Sequence, residues 1–226
     1  MDFKKEFLDF TQKTKPKWEI KGLLSCNKDV FVFGSDTKVL STIFELLCKP
    51  IVLSIAKGHG YQVEEAPQTV YPDFTLSKDK EDKAKIAVDV KTTYRKFLTD
   101  KSVAPFNFTL GSYTSFIRND TKNILYPYSH YKEHWIIGVI YTRNLPPDIS
   151  LIYKLDNFDK IPCPYKDVDF FVQEKYKIAG LKPGSGNTTN IGSIKTPDIE
   201  NFRNGRGPFA EKGERAFLDY WRKYGK

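Results

Sequence analysis

Residues 135–142 read Trp-Ile-Ile-Gly-Val-Ile-Tyr-Thr, a nearly unbroken apolar run of strand length. It lacks polar alternation, so neither face of such a strand meets water, and only a sheet covered on both sides accommodates it. The rest of the chain must supply two covering layers. Phe3, Phe7, Leu8 and Phe10 have helical spacing over residues 2–14, which Lys15-Pro16-Lys17 closes. Leu40, Ile43, Phe44 and Leu47 form an apolar stripe behind a Ser35 or Asp36 cap. Pro50 is expected to kink or restart that helix before Gly58-His59-Gly60 stops it. Residues 113–123 and 209–224 read as further helices, the latter with Phe217, Trp221 and Tyr224 on one face. Residues 20–26 and 30–33 read as strands joined by Asn27-Lys28-Asp29, Pro146-Pro147 ends the 135–142 run, and 149–155 and 169–179 read as further strands. The sum is a mixed α/β, or α+β, domain. At 226 residues the chain suffices for one substantial core, read as a single domain over 1–226.

The chemistry is concentrated in Pro72-Asp73 and Asp89-Val90-Lys91. Read with a period of two, residues 85–91 place Ile86, Val88 and Val90 on one face and Ala87, Asp89 and Lys91 on the other. If residues 77–83 turn the chain back as a hairpin, Phe74 and Leu76 join the apolar face while Asp73 and Thr75 join the polar one. Two carboxylates and an ammonium then converge. Carboxylates about 4 Å apart repel by roughly 4 kcal/mol at an effective dielectric of 20, so the pair calls for a divalent cation or a shared proton. Oxygen ligands suggest magnesium. The plain alternative is a solvated charge pair on an exposed strand; what weighs against it is the clean Ile/Val stripe opposite. Glu45 is either a third carboxylate or one half of an exposed Glu-Lys pair with Lys49.

A net charge of +8 and a pI near 9.2 point to a polyanionic partner. Gly184-Ser185-Gly186-Asn187-Thr188-Thr189-Asn190 is not a Walker loop, since it lacks Gly-Lys-Ser/Thr. It reads as a surface loop, or as one bringing amides and methyl groups to base edges, where Asn pairs with adenine and a Thr methyl packs on thymine. Lys38, Arg118, Lys122 and the basic carboxyl-terminal stretch could then hold phosphates. Cys26, Cys48 and Cys163 have no zinc-ligand or disulfide spacing and read as reduced thiols of a cytoplasmic protein. The amino terminus has no apolar signal core. The sequons at Asn107, Asn119 and Asn187 accordingly carry no glycosylation meaning. His130 and His134 have helical metal-ligand spacing but no third ligand, and no Ser-His-Asp or Cys-His set has recognisable context.

Five blocks, at 34–46, 71–76, 89–94, 113–119 and 184–194, resemble the EcoRV-type family of type II restriction endonucleases, within the PD-(D/E)xK nucleases, and the likeness runs over residues 20–221. The resemblance implies a restriction-endonuclease-like fold, a central mixed β-sheet flanked by helices, in a homodimeric, magnesium-dependent bacterial nuclease that cuts both strands of duplex DNA. It implies that residues 19–34 and 148–160 form a dimerisation subdomain. It makes Asp73 and Asp89 metal-binding carboxylates, Lys91 the catalytic lysine and Glu45 an auxiliary acidic ligand. Gly184 to Asn190 match the loop that reads bases in the major groove, and Gln68-Thr69 one near the minor groove. Thr37, Lys38, Thr92, Thr93, Ser115 and Lys122 match positions near phosphates. The implied site is GATATC, cut at its centre to blunt ends, with a cognate DNA methyltransferase in the cell. Thr69-Val70, the long 95–107 stretch, Leu181-Lys182-Pro183 and the end at Lys226 depart from the family's pattern. Two rival readings are a structure-selective repair or junction nuclease with the same metal site, and a DNA-binding protein without catalysis. The base-reading loop speaks against the first, the complete Asp73-Asp89-Lys91 set against the second.

Overall fold

The computed structural model describes residues 1–144, 151–184 and 189–225. Helix α1 (Phe3–Thr14) starts where the Asp2 side chain accepts from the Lys5 amide and ends at Lys15, whose φ of 45° turns the chain out of the helix ahead of Pro16. The short antiparallel strands β1 (Gly22–Leu24) and β2 (Asp29–Val32) follow, joined through Lys28 at φ 62°. Asp36 then caps α2 (Thr37–Gly58) by accepting from the amides of Lys38 and Val39. The break expected at Pro50 does not occur, and α2 runs through it for 22 residues. Pro50 and Leu46, whose carbonyl loses its helical partner, both face solvent, so water can take the vacated bond. Eight buried side chains hold the opposite face of α2 to the core. By length and hydropathy α2 could cross a bilayer, but its apolar side is spent on this packing.

Strands β3 (Gln62–Glu65), β4 (Phe74–Ser77) and β5 (Lys85–Arg95) form an antiparallel meander. Next come β6 (Thr109–Ser112), β7 (Tyr131–Arg143), β8 (Ile152–Lys154) and β9 (Tyr165–Glu174). The main sheet has the order β3-β4-β5-β7-β9, with β5 and β7 parallel and the other pairs antiparallel, so the expected mixed sheet is present. Strand β7 is buried on both faces. Trp135, Ile137, Val139 and Tyr141 pack with α1 and α2, while Ile136 and Ile140 pack in the opposite layer with Phe108, Phe171 and Trp221. Gly138 makes room for Phe171: a Cβ there would lie 2.0 Å from the ring.

After β9 come α3 (Lys175–Ile178), β10 (Ala179–Pro183), β11 (Asn190–Ser193), α4 (Glu200–Arg203) and α5 (Gly213–Lys223). Strands β10, β11 and β6 form one three-stranded sheet and β1, β2 and β8 another. Several expected elements are corrected. Residues 113–123 hold only a five-residue π turn, Tyr113–Ile117. Beyond it the Asp120 side chain accepts from the Ser129 amide and hydroxyl, and Asn123 adopts φ 53°, local bonding and geometry that compete with a helix. Arg118 and Lys122 therefore share no helix face. The strand expected over 169–179 starts earlier, at Tyr165, and ends at Glu174, where Lys175 begins a helical turn. Tyr176 and Ile178 prolong the apolar alternation across that turn, so a period of two cannot register it. Of the strand expected over 149–155, residues 149 and 150 lie outside the described residues, β8 covers Ile152–Lys154, and Leu155 opens a 3-10 turn. Gly213, at φ 81°, delays α5, leaving Phe209 in the preceding turns with its ring edge-on to Phe217.

Candidate active site

The β4–β5 hairpin forms in the register Phe74↔Val88, Thr75↔Ala87, Leu76↔Ile86. Phe74, Leu76, Ile86, Val88 and Val90 enter the α2 side of the core and Ala87 the other side, the division that strand alternation requires. Asp89 and Lys91 follow Ala87 on its face. Asp73, just ahead of β4, is anchored by the Val90 amide, which donates to its Oδ2 at 2.6 Å. Asp89 is only 2% exposed, and the Lys91 ammonium lies 2.7 Å from its Oδ2. All three side chains line one cleft of about 500 Å³.

The charges are not balanced. Burial, then the neighbouring Asp89, pushes the Asp73 carboxyl up to about 8, against the opposing pull of Lys91 and the Val90 amide. Glu45 is also raised, first by burial and then by Asp89 and Glu65. Burial alone would lower the Lys91 ammonium, but Asp89, Asp73 and Glu45 outweigh it and hold its pKa above the ordinary value. A buried carboxylate pair that one lysine does not neutralise is an oxygen-donor site short of positive charge, and it fits a hard divalent cation. Glu45 lines an adjoining recess of about 350 Å³ with Asp73 and Lys91. The described residues contain no group of three acidic, histidine or cysteine side chains placed to hold a metal by themselves. Two carboxylates would leave the remaining positions of a divalent cation to phosphate and water.

The recess also receives Thr92 and Thr93, and Thr92 shares a 2.5 Å hydrogen bond with Ser41. Ser115 and Thr69, the latter at φ 71°, line the main cleft. Thr37 and Lys38 lie exposed at the start of α2, and Gln68 and Lys122 are exposed without lining either space. At the segment expected to read bases, the Gly184 amide donates to the Asn190 carbonyl at 2.9 Å, and Thr189 and Asn190 line the cleft with Asp89. Ser185, Gly186, Asn187 and Thr188 lie outside the described residues. Strand β11 pairs with β6, Asn190 opposite Ser112, and both of these residues line the cleft. Ser41, Ser112 and Asn123 were not singled out as site residues from sequence, and Asn107 only as a sequon without meaning. Of these only Ser41 left a signal, one helical turn before Glu45. His134 sits in β7, stacked on Tyr128 at 4.0 Å, and His130 ends a 3-10 turn, so the two share no helix. Another cavity, about 1070 Å³ beside Lys4, Glu174, Arg203 and Arg206, holds both signs of charge and none of the site residues.

A mixed sheet carrying Pro-Asp ahead of one strand and Asp-x-Lys along the next, covered by helices, defines a nuclease of the PD-(D/E)xK class. The family model "Restriction endonuclease EcoRV" matches residues 14–226. The type II restriction enzyme EcoRV of Escherichia coli is 49% identical over 226 residues, covering 99% of this chain and 89% of that protein. The chain belongs to the EcoRV family of type II restriction endonucleases. It is a DNA-hydrolysing enzyme.

Proposed function

We propose that this chain cuts both strands of duplex DNA at GATATC, hydrolysing the central step in a magnesium-dependent reaction that leaves blunt ends. The observation that carries the reading is the shared cleft, which Asp73, Asp89 and Lys91 line together with Thr189 and Asn190 at the end of the base-reading segment. Asp73 and Asp89 would hold the magnesium ion, which when bound draws charge from the scissile phosphate and acidifies a water. The Val90 amide pins one Asp73 oxygen and leaves the other for the cleft. Lys91, held by Asp89, orients the attacking water and offsets charge building on the phosphate. Glu45 supports this set from the adjoining recess. The Thr92, Thr93 and Ser115 hydroxyls take phosphate oxygens, Thr37, Lys38 and Lys122 act further along the backbone, and Gln68-Thr69 approach the minor groove. Gly184 to Asn190 read the bases. The central T-A step of the site unstacks easily, so bending it adds specificity without a base contact.

A plasmid with one GATATC, incubated with enzyme and magnesium, should become linear with blunt ends. An intact plasmid at enzyme excess, or cuts mapped elsewhere, would sink the reading. In the cell such an enzyme works in the bacterial cytoplasm beside a methyltransferase that protects the same sequence.

A palindrome calls for two copies of the chain. Leu23, Phe31 and Ile152 pair side by side across β1, β2 and β8, and all three are about half exposed or more. Such a row supports an isologous dimer through this small sheet, where residues 19–34 and 148–160 were expected to form the dimerisation subdomain. The expected sedimentation mass at micromolar concentration is twice 26.1 kDa. Phe31→Asp should reduce it to the monomer; an unchanged mass would place the contact elsewhere.

A further inference from the structure

Lys175 opens α3 with its side chain turned inward, 1% exposed, and its ammonium has no hydrogen-bond partner among the described residues. It is surrounded by rings instead. The nitrogen lies 4.3 Å from the centre of Tyr71, 4.7 Å from Phe116 and 5.8 Å from Tyr128. Tyr71 stacks on Phe116 at 4.5 Å, and Tyr71 Oη is 2.7 Å from His134 Nδ1, so the box is rigid. Two of its rings do double duty, since Tyr71 and Phe116 also line the cleft that contains Asp73, Asp89 and Lys91. Tyr71 precedes Pro72-Asp73 directly, so whatever fixes this ring fixes the approach to the first carboxylate.

A buried ammonium without a hydrogen bond is costly, and ring faces offset only part of that cost. A methionine of similar length would fill the same space without the penalty. The lysine therefore serves something other than stability. Its field reaches the site: Asp89 favours the charged form and Lys91 opposes it, while burial brings the group down to about 7. Glu214, itself pushed up to about 7 mainly by burial, is the other carboxyl that it feels.

We propose that Lys175 is a positioning residue for DNA cleavage: its ammonium, held against the faces of Tyr71 and Phe116, fixes the Tyr71–Asp73 corner of the cleft. The proposal rests on the nuclease reading above. It separates charge from size as the property that matters, and three substitutions test that. Lys175→Met and Lys175→Gln should fold with melting temperatures, measured without metal, at or above that of the wild type. Both should bind the GATATC duplex within about twofold of wild-type Kd and cut it at least about tenfold more slowly in single turnovers. Lys175→Arg keeps the charge and should cut within about threefold of wild type despite its bulk. Unchanged rates in the Met and Gln variants overturn the proposal. So does a ranking by size, or a loss of rate that merely follows loss of stability or of DNA binding. Failure of the wild-type protein to cut DNA would strike the nuclease reading instead, and the same assays show which of the two has failed.

Discussion

Asp89→Ala is expected to bind duplex DNA as tightly as the wild type and to cut it at least about a thousandfold more slowly, since it removes both a cation ligand and the partner of Lys91. The two effects separate because Asp89 is a buried anion that contributes nothing attractive to a phosphate. Taking it away leaves the surface cations in place and frees the Lys91 ammonium from its 2.7 Å contact. Asp73, relieved of a like charge, should fall back toward the ordinary carboxylate range, which the variant can also reveal. Anisotropy titration without metal and single-turnover cleavage with magnesium check both halves. Cleavage within tenfold of wild type would remove Asp89 from the catalytic set.

Asp73→Asn should abolish cleavage and, in the same protein without metal, raise stability at pH 8. Asp73 holds its proton up to about 8 in the folded state, against about 4 in an unfolded chain. Between those values the folded protein binds the extra proton, so its stability falls as pH rises through the window and levels off above it, with a limiting slope of about 1.4 kcal/mol per pH unit for one proton. Asparagine mimics the protonated acid and does not titrate, so the gap between variant and wild type should open from about pH 4 to pH 8. Glu214 titrates in both proteins and cancels in the difference. Urea unfolding in chelator across that range measures the gap. Added magnesium at pH 8 should close it by stabilising the wild type alone. Parallel stability curves for the two proteins would mean that the Asp73 carboxyl is not held protonated by its site.

Both effects trace to groups visible in the sequence, because strand alternation is a local rule. Residues 85–91 must put Asp89 and Lys91 on one face wherever that strand lies, and the 135–142 run must be covered on both sides in any fold that buries it. The same locality explains the errors. Pro50 breaks an isolated helix, yet eight buried side chains on the far side of α2 carry the chain past it. Residues 113–123 have helical composition, but Asp120 finds its partner at Ser129, nine residues on, and the helix gives way to turns. Lys175 read as one more residue of a strand; its aromatic box comes from residues 71, 116 and 128, none of them near it in the chain.

The sequence by itself determined the chemistry on offer: two carboxylates and a lysine on a hairpin face, and the family to which they belong. Register, and therefore meeting, was left to the tertiary structure. The parallel pairing of β5 with β7, the Ser41–Thr92 contact and the placement of Asn190 beside Asp89 join residues from 46 to 101 positions apart. Periodicity states which way a side chain points along its own strand or helix. What it points at depends on how whole layers pack, a property that no short window of residues contains.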